Sequence, residues 1–104
     1  MSGTMKASMQ TTKGELGKLL EQHELTAGMY VRVHGDNLIM GRTDDSGSDP
    51  INEDRVRLTR LSSKQYGLSV KRHTGRWERT PFSGSMKEMV DIMLAFMQHL
   101  VAPY

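Results

Sequence analysis

Alternating apolar and polar positions organise the middle of the chain. Met29, Val31 and Val33 alternate with Tyr30, Arg32 and His34, and a period of two predicts a strand with one face buried. Gly35-Asp36-Asn37 carries the chemistry of a tight hairpin turn, so Leu38 to Thr43 returns as a second strand. Residues 44–53 read as an exposed acidic loop. A third strand over 54–61 turns Val56 and Leu58 inward and Arg55, Arg57 and Thr59 outward; Leu61 breaks the alternation, the mark of a bulge. Beyond the turn at Ser62-Ser63-Lys64, Tyr66, Leu68 and Val70 alternate with Gln65, Ser69 and Lys71 in a fourth strand. His73-Thr74-Gly75 turns the chain again. Arg76 to Thr80 predicts a short fifth strand centred on Trp77 and stopped by Pro81, which has no N–H for a ladder.

Both ends read as helices. Thr12 and Glu15 have capping-box spacing, and Leu16, Leu19, Leu20 and His23 follow at helical intervals. This predicts a short helix over 13–23, with Gly14 and Gly17 each costing about 1 kcal/mol relative to alanine. Residues 1–11 show no period and are expected to form a disordered lead; residues 12–104 are expected to form a single domain. Ser85 and Glu88 make a second capping box, opening a helix of roughly 17 residues that ends at Pro103.

That last helix carries an excess of apolar surface. Lys87, Glu88, Asp91, Gln98 and His99 form one narrow polar stripe, with Ala95 among them. Met86, Met89, Val90, Ile92, Met93, Leu94, Phe96, Met97, Leu100 and Val101 fill the remainder. A helix on one sheet face needs an apolar stripe only a little over 100° wide. Two arrangements use the surplus: the helix lies between the sheet and the N-terminal helix, or its spare face meets a symmetry mate in a two-fold dimer. The expectation taken forward is a homodimer with Met89, Ile92, Met93, Phe96, Met97 and Leu100 at the interface. The fold class is α+β, in the order α-β-β-β-β-β-α: a five-stranded antiparallel β-meander with both helices packed on one face.

Charge adds a direction to this picture. The net charge is only +2. Yet Arg55, Arg57, Arg60, Lys64, Lys71, Arg72, Arg76 and Arg79 face a single acid, Glu78, within residues 55–79, while the rest of the chain has six Lys/Arg against eleven acids. With the strands as drawn, Arg55, Arg57, Lys71 and Arg76 point away from the core. A field of one sign attracts polyanions, and single-strand binders join such a surface to stacking aromatics, for which Tyr66 and Trp77 are the nearby candidates. The eight cations are therefore the candidate nucleic-acid-binding residues, for DNA or RNA. The alternative is a protein–protein adaptor with an acidic partner, or a self-associating structural protein, whose arginines solubilise the sheet or pair with the acidic loop.

Other chemistries find little footing. There is no cysteine, hence no disulfide, thiolate nucleophile or cysteine-ligated zinc. His23, His34, His73 and His99 occur singly, no Gly-x-Ser-x-Gly elbow is present, and no phosphate-cradling glycine motif appears. Asp44, Asp45, Asp49, Glu53 and Asp54 lack the EF-hand spacing, since its twelfth position is Arg55. No catalytic residue, metal or cofactor is expected, and the chain is read as a non-enzymatic binding module. The N-terminus lacks the apolar core of a signal peptide, and the longest apolar run, Ile92 to Met97, is too short to span a bilayer. A cytoplasmic chain with no membrane partner is the resulting expectation. Over residues 28–101, the order of several antiparallel strands followed by one helix is similar in layout to the single-strand-binding transcriptional coactivators. The likeness is one of layout alone, with no shared motif.

Overall fold

A computed structural model describes residues 8–102. The elements are α1 (Met9–Glu21), β1 (Tyr30–His34), β2 (Asn37–Asp44), β3 (Ile51–Ser62), β4 (Gln65–Lys71), β5 (Trp77–Gly84), α2 (Met86–Phe96) and α3 (Gln98–Val101). The five strands form one antiparallel sheet in chain order, and the helices cover one of its faces. This is the α+β meander that the apolar pattern predicts.

Alternation sets the two faces. Val33, Leu38, Leu58 and Leu68 align across four strands, as do Val31, Met40, Val56 and Val70. These rows meet Leu16 and Leu20 of α1, Met89, Val90 and Met93 of α2, then Met97 and Val101, in one buried cluster. Burying each Leu, Val or Met contributes roughly 1.5–3 kcal/mol. The β1–β2 hairpin closes through Gly35, whose φ of 62° lies in the left-handed region that glycine adopts at no steric cost. Gly41 is required for a different reason. A Cβ there would overlap the Glu53 carbonyl and the Tyr30 ring, which lies across it from the facing position on β1.

Several boundaries depart from the sequence pattern. α1 begins at Met9, inside the stretch expected to be a lead, because Ser8 is the residue that caps it by accepting from the Thr11 N–H at 3.1 Å. The expectation for residues 1–7 lies outside the described residues. Thr12 is buried within the helix, not at its cap; its hydroxyl donates to the Ser8 carbonyl and accepts from Arg60. The acidic loop shrinks to residues 45–50, because β2 runs to Asp44 and β3 starts at Ile51.

β5 continues through Pro81 to Gly84. It is an edge strand, and its register against β4 shifts between Gly67 and Ser69. A bulged edge is where proline is tolerated, and the Thr80 hydroxyl supplies a bond to the Leu68 carbonyl at 2.8 Å. The predicted bulge at Leu61 is present, between Arg60 and Ser62.

The C-terminal helix is split at Met97 into α2 and α3. The redirected last turn seats Val101 in the core and brings two carbonyls to arginines. Arg42 Nε donates to the Val101 carbonyl at 3.0 Å, and Arg55 Nη1 to the Leu100 carbonyl at 2.6 Å. Arg42 is only 7% exposed. Its other nitrogens reach the Ala27 and Leu25 carbonyls at 2.8 and 2.7 Å, so one side chain ties the α1–β1 connection and α3 to β2. Burial is the main influence on this guanidinium, and with the nearby Arg55 it lowers the pKa from the usual arginine value. No helix among the described residues is long and apolar enough to cross a membrane.

Candidate nucleic-acid interface

The face of the sheet away from the helices is built on one cross-strand row. Arg32, Ile39, Arg57, Ser69 and Arg79 follow one another from β1 to β5. Side chains on alternate strands of such a row stand about 10 Å apart, twice the strand spacing. Arginine thus recurs on β1, β3 and β5. The neighbouring pair Lys71 and Trp77 lies on the same face. Arg57 stacks over the Trp77 ring with its guanidinium carbon 4.8 Å from the centroid, and the Lys71 ammonium sits 5.6 Å from it. Such cation–π contacts contribute about 0.5–1 kcal/mol at exposed sites. They leave the positive charges un-neutralised. Among the described residues Arg57, Lys71 and Arg79 form no ion pair, and the buried Arg57 Nε has no acceptor.

Arg32 is held differently. It forms a two-pronged ion pair with Asp54, at 2.6 and 3.2 Å, and the Tyr30 hydroxyl donates to the same carboxylate at 2.5 Å. The Arg32 hydrogen bond keeps the Asp54 pKa below the ordinary carboxylate value despite partial burial, with Tyr30 assisting. The pair raises Arg32 in return. The basic face is therefore bounded at its β1 end by a neutralised pair and is open towards β5.

Of the eight cations singled out in the sequence, three, Arg57, Lys71 and Arg79, share the face of Trp77, with Arg57 and Lys71 against its ring. Arg55 was expected to point outward, but the register shift between Met40 and Gly41 places it at a bulge. From there it reaches the Leu100 carbonyl and the Glu53 carboxylate. Arg60 lies on the helix side, donating to the Thr12 hydroxyl at 2.6 Å, because alternation from Val56 and Leu58 puts it on the core face, opposite the buried Tyr66. Arg72 pairs with Glu78 at 2.9 Å. Lys64 and Arg76 are exposed beyond the strand ends. Tyr66 is a core residue, which leaves Trp77 of the two aromatics singled out in the sequence; Tyr30, two residues from Arg32, also lies on this face.

Residue counting missed Arg32, which lies outside the 55–79 window, although its outward position in β1 was legible from alternation. The coupling of Tyr30 to Asp54 had no local signal, being a contact between strands 24 residues apart.

The six residues expected at a dimer interface also divide. Met89, Met93 and Met97 are buried in the chain's own core, Ile92 and Leu100 are half-buried, and Phe96 is 68% exposed. Phe96 stacks parallel on Phe82 of β5, with ring centroids 6.3 Å apart. No group of three or more His, Asp or Glu side chains suited to a metal ion occurs among the described residues. No protein-family model, curated protein or solved structure matches the chain in the three comparisons made, so the likeness of layout to the single-strand-binding coactivators carries no argument here.

Proposed function

We propose that this chain is a non-enzymatic binding module, cytoplasmic in setting, whose outer sheet face docks a nucleic acid. The observation that carries the reading is that Arg57, Lys71 and Arg79 share the face of Trp77 and that none of the three is held in an ion pair among the described residues. Elsewhere in the chain Arg32, Arg55 and Arg72 form ion pairs. Three that do not, gathered on one flat face with an indole, match the combination of backbone charge and base stacking that single strands require. Phosphate contacts supply most of the affinity in such binding and release counterions.

The test is fluorescence anisotropy of labelled single- and double-stranded oligonucleotides over a salt series. Arg57→Ala, Lys71→Ala and Arg79→Ala are each expected to weaken binding and to flatten the salt slope by roughly one charge. Arg72→Ala serves as the control, its charge being already paired. Absence of binding at low salt retires the nucleic-acid reading in favour of an acidic protein partner.

Self-association is the second reading, and the exposure of Phe96 favours it. Phe82, Ile92 and Phe96 make an apolar strip at the junction of β5 and α2, and an exposed patch of large apolar side chains marks an interaction surface. The interface is accordingly proposed through Phe96 and Ile92, with Phe82 added and the buried methionines removed. Sedimentation equilibrium of the wild type and of Phe96→Ser tests it: a dimer lost in the variant supports the reading, and a wild-type monomer at high micromolar concentration ends it.

A further inference from the structure

The two edges of the sheet are treated differently. β5 is interrupted by its bulge and by Pro81, and Phe96 stacks on its Phe82, devices that discourage a further strand. β1 carries none of these. Its register against β2 is unbroken over all five residues. In a ladder closed by the pair His34 and Asn37, the backbone groups of Tyr30, Arg32 and His34 turn towards β2, and those of Val31 and Val33 turn outward. Both valines are half-exposed.

Beside this edge, where α1 packs against β1, lies an open trough of about 860 Å³ lined by Met29, Val31, Lys13, Gly14, Gly17 and Lys18. A Cβ added at Gly14 or at Gly17 would meet nothing within 4 Å, so the helix wall is set back where an incoming side chain would lie. Neither lysine has an ion-pair partner among the described residues. The acid of the trough, Glu21, already accepts the Gly28 N–H at 2.9 Å.

We propose that the trough takes an extended acidic peptide, which adds to β1 as a sixth strand. Main-chain bonds to Val31 and Val33 supply the docking, as in other strand-addition complexes. Alternate side chains enter the space beside Gly14 and Gly17, and acidic side chains reach Lys13 and Lys18. A second copy of this chain is the poorer occupant, because β1-to-β1 pairing brings Lys13 and Lys18 towards their own counterparts. The inference is independent of the nucleic-acid reading, which concerns the outer face.

The test is amide hydrogen exchange and chemical-shift mapping of the full chain with a blocked decapeptide alternating glutamate and valine, against a lysine–valine counterpart. The glutamate peptide is expected to slow exchange at the Val31 and Val33 amides at least tenfold, and the lysine peptide to leave them unchanged. Gly17→Leu fills the trough and improves helix propensity, so it is expected to keep the fold and the thermal midpoint while cutting peptide affinity at least tenfold; Lys13→Glu with Lys18→Glu is expected to abolish the preference for glutamate. Four results overturn the proposal: no protection by the glutamate peptide, equal protection by both peptides, unchanged affinity in a folded Gly17→Leu variant, or shifts confined to Arg57, Lys71 and Arg79. Protection of Val31 and Val33 that rises with protein concentration in the absence of peptide also overturns it, by naming a second copy as the occupant.

Discussion

Replacing Arg42 with methionine keeps the length of the side-chain stem and removes its charged head. Three carbonyls, of Leu25, Ala27 and Val101, then lose donors that stood at 2.7, 2.8 and 3.0 Å. Each buried acceptor left without a partner costs about 1–3 kcal/mol. The Leu25 and Ala27 residues are half-exposed, so water repairs part of the loss, and removing a desolvated guanidinium returns part of its burial penalty. The low end of the range, about 1 kcal/mol for each of the three bonds, gives a net destabilisation of about 3 kcal/mol. For a chain of 104 residues, that corresponds to a fall in thermal midpoint of roughly 12–24 °C. Urea unfolding followed by Trp77 emission measures it, and native-state hydrogen exchange locates it: α3 and the connection between α1 and β1 are expected to open first. Arg42→Lys, which cannot fork to three acceptors, is expected to fall between wild type and Arg42→Met. A loss below about 0.5 kcal/mol for Arg42→Met would falsify the role of this side chain as the tie between the connection, the sheet and the last turn.

Three further outcomes follow from the same contacts. The Asp54 pKa is depressed in the folded state, so its contribution to stability is complete above the ordinary carboxylate value of about 3.9 and is lost as pH falls through the lower folded value; Asp54→Asn is expected to flatten the stability–pH curve in that acid window, read by thermal scans at pH 2 to 6. Gly41→Ala, which forces a Cβ against the Glu53 carbonyl and the Tyr30 ring, is expected to destabilise by about 1–3 kcal/mol through overpacking, measured by urea midpoint. Thr12→Val removes the hydroxyl that accepts from Arg60 at 2.6 Å, and is expected to lower stability by about 1–3 kcal/mol, with α1 amides exchanging earlier than the sheet.

Local pattern carried most of the fold. Alternation at 29–33, 38–43, 54–61 and 65–71 named four strands and their inward residues, because the half-buried sheet gives its period directly to the sequence. The places where it failed are tertiary. Pro81 ends a strand by local chemistry, yet an edge and a bulge absorb it. Nothing between Ile92 and Leu100 marks a break at Met97; the split belongs to carbonyls that face Arg42 and Arg55 from distant strands.

The candidate interface was legible in charge and not in direction. Arg57, Lys71 and Arg79 follow simple alternation, and so does Arg60, which shares the core face with Val56 and Leu58; the bulge beside Gly41 redirects Arg55 towards the helices. Phe96 and the buried methionines of α2 show the same limit on the opposite side. A helical wheel counts apolar positions, but which of them the sheet covers depends on how the helix crosses it.

Trp77 is the chain's one tryptophan, and it lies on the basic face, against Arg57 and Lys71. Its emission during titration with an unlabelled single-stranded oligonucleotide, at low ionic strength, therefore reports directly on that surface. Saturable quenching that is reversed by added salt and shifted to higher oligonucleotide concentration in Arg57→Ala is the predicted behaviour. An indole signal indifferent to saturating oligonucleotide would contradict the assignment of this face.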